Sequence, residues 1–255
     1  MREQRRCHGE SRRPTSFMAT NFHFFGAAHC GILAAVLLLP AALLFLQRRI
    51  LHGASGIRIV FGAVMLANAA GWYAYLAAIG QRIFPDRLPL ELCDIAYFLI
   101  AIVAIAGIPA LFDVAYYWAL AGTTMALVTP NLMGHFPSIA TVEFFVWHGL
   151  TVSAVLFLAW SGEFRPRRGS VLRAMIALNL LAAFDGIFDA VFKTDYMYLG
   201  SKPQNPSLLN YMGPWPWYML TAEPVAVALF LLLYWPFWRR QETGLQQRRR
   251  SSSGS

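Results

Sequence analysis

Charge is scarce in this sequence. Asp, Glu, Lys and Arg make up 13% of 255 residues, about half the share of an ordinary soluble domain. So little charge excludes an ordinary water-exposed surface. Lysine is scarcer still, with Lys193 and Lys202 the two in the chain. Neither stands well inside an apolar run, which argues against a retinal Schiff base, a linkage that needs a lysine amine. Cysteine is limited to Cys7, Cys30 and Cys93. Their spacing makes neither a metal motif nor a secreted disulfide framework, and nothing supports a Cys30–Cys93 bridge. No cofactor motif, internal repeat or cleavable signal peptide is visible. Residues 1–17 are polar and arginine-rich, and they read as a tail or as sequence upstream of a start at Met18.

What the sequence does have is apolar length. Hydrophobic residues make up 57% of the chain, and the mean hydropathy is +0.47. A helix crosses a bilayer with about 20 mostly apolar residues. Segments of that kind fall at 27–47, 58–80, 89–111, 113–130, 138–161, 170–192 and 215–238. The pattern predicts an all-α polytopic transmembrane bundle of about seven helices, with membrane lipids as its partners. The expected organisation is a disordered basic tail over 1–20, a membrane domain over 21–239 and a disordered basic cytoplasmic tail over 240–255.

The net charge of +8 does not point to nucleic acid, because the arginines sit in tails and short loops. The loops at 48–58 and 162–173 with the C-terminal tail hold 12 of them: Arg48, Arg49, Arg58, Arg165, Arg167, Arg168, Arg173, Arg239, Arg240, Arg248, Arg249 and Arg250. The opposite loops hold 4 basic residues, Arg82, Arg87, Lys193 and Lys202, or 9 with the N-terminal tail. The positive-inside rule then puts the C-terminus in the cytoplasm and the N-terminus outside. A bacterial-type plasma membrane is the expected location.

Ionisable residues inside spans are costly and usually face a protein interior or a wet cavity. Here His29, Glu91, Cys93, Asp94, Thr129, Asn131, Glu143, His148, Asp185, Asp189 and Glu223 fall towards the outer ends of their spans. Glu223 lies about 12 Å into the last span at 1.5 Å per residue. The other half is nearly free of such groups, apart from Asn68 and Asn179. This polarisation predicts one outward-facing cavity.

Cys93 lies in LPLELCDIA, in the first turns of a proline-started helix. A helix N-terminus favours a thiolate, whereas neighbouring Glu91 and Asp94 oppose it. A nucleophilic reading therefore needs a base, and His148 or His29 is the candidate. The competing readings are a small buried cysteine and a hydrogen-bonded core histidine. The estimated depths of Cys93 and His148 differ by about 6–9 Å, so contact requires helix tilt. Glu143 is off the His148 face. Asp185 and Asp189 share a face one turn apart, where they orient a histidine, hold a cation, relay protons or pair with Lys193. Glu223 precedes Pro224, where a kink is expected. The stretch 194–220 packs Gly, Pro, Asn and six aromatic residues ahead of the last span. With Tyr211, Trp215 and Trp217 it is either a lid or an interfacial anchor.

Five pieces occur together: Phe22–His29, Leu88–Cys93, Thr129–Leu132, Phe145–Leu150 and Lys202–Leu220, the last containing GPWPWY. In these the chain resembles the YwaF-type bacterial integral membrane proteins, related to eukaryotic transmembrane protein 164. The resemblance spans about residues 20–238. It implies a multi-helix membrane protein and, from the eukaryotic relative, acyl-chain transfer between phospholipids. Cys93 would be the nucleophile and His148 the base, with donors near Thr129 or Asn131 stabilising the oxyanion. Many bacterial relatives carry histidine at the position of Glu91. The sequence is compatible with an intramembrane lipid acyltransferase or acyl hydrolase, a small-solute or ion transporter, and a non-retinal sensor.

Overall fold

The computed structural model describes residues 22–50, 54–132, 134–203 and 207–252. The expected tail over 1–20, with Cys7 and Met18, lies outside the described residues. Seven helical stretches follow in order: α1 (Ala27–Ile50), α2 (Ala54–Ala78), α3 (Leu92–Ala106), α4 (Pro109–Val128), α5 (Ile139–Trp160), α6 (Ser170–Phe192) and α7 (Trp217–Ser252). No strand occurs among the described residues. Six of the helices are long and apolar enough to cross a membrane, and α3 is a shorter apolar helix. The all-α transmembrane bundle expected from hydropathy is therefore the architecture observed.

The break between α3 and α4 falls earlier than hydropathy suggests. Gly107 takes a left-handed conformation (φ 70°) and caps α3, and Pro109 starts α4. Glycine tolerates that φ without a Cβ penalty, and proline suits a helix start. Asp113 thus lies inside α4 rather than at a span boundary. The last span also differs at its end, because the backbone of α7 stays helical to Ser252 through the basic stretch assigned to a tail from residue 240.

α3, α4 and α5 form the centre. Tyr97, Ile100, Phe112, Tyr117 and Phe157 are fully buried there, with Met65 of α2. The Tyr97 and Trp147 rings stack at 3.9 Å and join α3 to α5. Gly62 lets α2 press against α3, since a methyl group there would stand 2.7 Å from Ile105 and 2.8 Å from the Ala101 carbonyl. The outer helices show the opposite pattern. On α6, Leu172, Ile176, Leu180, Phe184, Ile187 and Val191 are exposed, and their helical spacing aligns them on one face. A soluble monomer rarely exposes so continuous an apolar face, whereas lipid accommodates it.

One end of the bundle is closed by charge. The Asp113 carboxylate is completely buried and accepts from the Arg167 backbone N–H (2.8 Å), Arg167 Nε (2.7 Å) and Arg173 (2.9 Å). Arg58 donates to the Ala104 carbonyl at 2.6 Å and pairs with Glu163 at 3.1 Å. This satisfies helix-end carbonyls that have no intrahelical partner. Buried polar groups therefore occur at this end too, contrary to the expectation that they polarise to the other. These serve helix joining. Asp113→Ala is expected to lower unfolding stability by about 3 kcal/mol, since it leaves partly buried guanidinium groups unpaired. Thermal denaturation in detergent checks this, with Arg165→Ala as a surface control close to wild type.

Candidate functional site

At the end opposite Asp113, the first turn of α3 meets the loop between α6 and α7. Glu91 is the N-cap of α3, but its side chain makes no capping bond. Its carboxylate instead accepts from the Met197 backbone N–H at 3.0 Å. Tyr196 is buried, its hydroxyl donates to the Pro85 carbonyl at 2.6 Å, and it accepts from the Leu88 N–H at 2.9 Å. The loop is thereby fastened to the residues leading into the α3 start.

Asp189 explains how the loop leaves α6. Its carboxylate accepts from Thr194 Oγ1 (2.6 Å) and from the Tyr196 N–H (3.0 and 3.1 Å). The pairing with Lys193 weighed from the sequence does not form, as Lys193 Nζ donates to the Ala190 carbonyl. Met197 and Tyr198 then adopt consecutive left-handed conformations, with φ of 54° and 56°. Non-glycine residues rarely do so, and such strain persists only where the surroundings over-determine it. Here the Tyr218 hydroxyl donates to the Tyr198 carbonyl, and Asn131 Nδ2 donates to the Tyr198 hydroxyl at 3.0 Å. Burial raises the Tyr198 hydroxyl above its ordinary pKa, with Glu91, Cys93 and Asp195 adding to the rise and the Asn131 bond opposing it. The phenol therefore stays protonated at neutral pH.

Cys93 is a free, half-buried thiol in this corner, and Cys30 is a free, exposed one. Cys93 lies within electrostatic range of the Tyr198 hydroxyl. Asp94 stands close to Tyr73 and to Trp147. The indole N–H faces Asp94 without closing a well-formed bond. α4 approaches from the other side. Its Trp118–Thr123 stretch is π-helical, and a methyl group on Gly122 would stand 3.2 Å from Leu92. Thr123 Oγ1 is buried there without a partner. π-Helical turns inside α-helices often accompany functional sites.

His148 is 6% exposed, and its Nδ1 bonds the Phe144 carbonyl of its own helix at 2.6 Å. That bond needs a proton on Nδ1, which leaves the lone pair on Nε2. Nε2 makes no hydrogen bond among the described residues, and none joins Cys93 to His148. His29 differs. Its Nδ1 accepts from the Phe25 N–H (3.0 Å), its Nε2 bonds the Leu127 carbonyl (2.8 Å), and it is fully buried among Phe22, Phe25 and Phe145. With both nitrogens engaged, His29 ties α1 to the end of α4.

A cavity of about 850 Å³ opens between α6 and α7 beneath the loop, lined by Asp189, Met197, Tyr198, Trp215, Tyr218 and Glu223 among others. A second groove of about 690 Å³ continues along the same seam. Asn179 and Glu223 line both, and they bond each other at 3.2 Å. Cys93 and His148 line neither space. Met197 and Tyr198 belong to the cavity wall, and the Met197 amide is bonded to Glu91, two residues before Cys93. Asp185, fully buried, has no hydrogen-bond partner on either carboxylate oxygen among the described residues. It lies with Asp189 and Asp195 within electrostatic range of Glu91. Tyr211, Trp215 and Trp217 are exposed at 88%, 60% and 60%, which suits membrane-interface anchors. Trp215 also bonds the Leu199 carbonyl at 3.1 Å. Thr129 Oγ1 donates to the Met125 carbonyl of its own helix at 2.9 Å.

Tyr196, Met197, Tyr198 and Tyr218 are site residues that sequence reasoning missed. The one available sign was a run of tyrosines in a short loop after two aspartates.

These spans and this lipid-facing surface define a multi-pass membrane protein. The profile described as the TMEM164 family matches residues 24–234, and the chain belongs to that family. No curated protein and no solved structure matches it.

Burial pushes the Glu91 pKa up to about 7, and Glu91→Ala removes its bond to the Met197 amide, worth about 1–3 kcal/mol across the neutral and ionised forms. The Met197 and Tyr196 amides are expected to exchange with deuterium at least 10-fold faster, while α3 amides beyond Tyr97 stay protected. Hydrogen-exchange mass spectrometry reads both.

Proposed function

We propose that this protein transfers acyl chains between membrane phospholipids, or hydrolyses them, through Cys93 and His148. The observation that carries the reading is the fixed His148 ring. With Nδ1 committed to the Phe144 carbonyl, Nε2 is a preset proton acceptor inside the bundle. The free Cys93 thiol at the start of α3 supplies a nucleophile. The apolar seam between α6 and α7 suits an acyl chain, and its polar mouth suits the glycerol backbone.

Cys93 sulfur bonds the ester carbonyl carbon, and the thiol proton passes to His148 Nε2. The acyl C–O bond breaks, and the leaving glycerol oxygen takes that proton. A thioester and a lysolipid remain. The hydroxyl of a second lysolipid, or water, attacks the thioester, giving its proton to His148. The C–S bond breaks and the sulfur recovers the proton. Catalytic hydrogen bonds often tighten only with substrate bound, so closing Cys93 onto His148 belongs to the lipid-bound state. The proposed setting is a bacterial-type plasma membrane, with the C-terminus cytoplasmic and the site in the outer leaflet.

Ion or solute transport is favoured by one observation, the unpartnered Asp185 carboxylate beside Glu91 and Asp189. Transport predicts flux into liposomes that survives Cys93→Ala.

Purified protein in phospholipid vesicles is expected to exchange acyl chains or release fatty acid, read by mass spectrometry. Cys93→Ala and His148→Ala should each lower turnover by at least 10²-fold. Equal rates in all three proteins would sink the reading.

A further inference from the structure

We infer that the Tyr198 hydroxyl is the hydrogen-bond donor for the oxyanion formed when Cys93 adds to a lipid ester, with Asn131 as its positioning residue. The inference rests on the acyl-transfer reading above. Acyl transfer needs a donor fixed where negative charge develops.

Thr123 Oγ1, Trp147 Nε1 and the Tyr73 hydroxyl make no hydrogen bond among the described residues, but none of them lines the cavity, and further donors at this end are engaged. Thr129 Oγ1 donates to Met125, the Tyr196 hydroxyl to Pro85, the Tyr218 hydroxyl to Tyr198 and the Tyr97 hydroxyl to Met65. Asn131 spends an amide proton on Tyr198 itself. The Tyr198 hydroxyl accepts that bond, and its own proton has no acceptor among the described residues. A hydroxyl carries one donor and two acceptor sites, so the Asn131 bond orients the oxygen and leaves the proton to a ligand.

Position agrees with the role. Tyr198 lines the cavity between α6 and α7. Its neighbour Met197 is bonded to Glu91, two residues before Cys93. Tyr198 thus lies in the cavity lining next to the residue that ties the loop to the start of α3, where Cys93 sits. The two left-handed residues, their three tethers from Glu91, Asn131 and Tyr218, and the Asp189 bond to the preceding Tyr196 amide hold the phenol there before substrate arrives. An oxyanion donor gains its effect from such preorganisation. Because the hydroxyl is bonded to Asn131 and donates rather than transfers its proton, no protonation change at Tyr198 enters the cycle.

The test compares two reactions at Cys93. Acylation by phosphatidylcholine vesicles passes through an oxyanion, whereas alkylation by a long-chain iodoacetamide does not. Tyr198→Phe is expected to slow acylation about 10²-fold while alkylation stays within 2-fold of wild type, which also confirms that the variant is folded. Asn131→Ala should slow acylation less, and adding it to Tyr198→Phe should cost nothing further, because it acts through Tyr198. Acylation of Tyr198→Phe within 3-fold of wild type overturns the Tyr198 role and leaves the acyl-transfer reading standing. Equal slowing of alkylation and acylation also overturns it, assigning Tyr198 to thiol access or folding. A wild-type Cys93 that is alkylated but never acylated by any phospholipid class defeats the acyl-transfer reading and the inference together.

Discussion

The Met197 amide donates to the Glu91 carboxylate at 3.0 Å, and through that bond the loop leaving α6 becomes the roof over the first turn of α3. Asp189 makes the turn possible by collecting the Thr194 hydroxyl and the Tyr196 amide. Tyr196 pins the far side to Pro85 and Leu88. The consecutive left-handed residues Met197 and Tyr198 exist because these bonds leave the backbone no relaxed alternative. In a protein surrounded by lipid, loop backbone near the membrane must find partners within the chain. Carboxylates that look like chemistry in the sequence are, at Glu91 and Asp189, the acceptors of that loop.

The same constraint shapes the other end. Asp113 gathers Arg167 and Arg173, and Arg58 caps the carbonyls that end α3. Both ends are thus sealed by polar contacts around a packed centre of α3, α4 and α5. α6 and α7 remain loosely joined, and the seam between them holds the cavities. A rigid half carrying Cys93 and His148 beside an open, lipid-facing half is a sensible division for chemistry on an acyl chain. The Glu91–Met197 bond joins the halves at the Cys93 end, and the Asp113–Arg173 pair joins them at the other.

The spans were legible because a bilayer requires length and apolarity, and both are properties of sequence. The α3–α4 boundary was less so, since Gly107 and Pro109 sit within one apolar run and only their backbone roles separate the helices. His29 and His148 look alike in sequence, each an imidazole in an apolar helix. Their difference lies in partners from elsewhere: His29 meets the Leu127 carbonyl of a distant helix, whereas His148 keeps one nitrogen unclaimed. Asn131 read as a donor towards substrate, yet its amide is used by Tyr198. Tyr198 itself was invisible as a site residue, because its placement follows from tethers distributed over four separate segments.

The central claim is that Cys93 carries an acyl chain during turnover. Peptide mass spectrometry of the protein after incubation with phospholipid vesicles tests it most directly. A fatty-acyl mass on the Cys93 peptide, removed by neutral hydroxylamine as a thioester is, and accumulating when no acceptor lysolipid is supplied, is the result expected. Acyl exchange between phospholipids with Cys93 remaining unmodified throughout would contradict it.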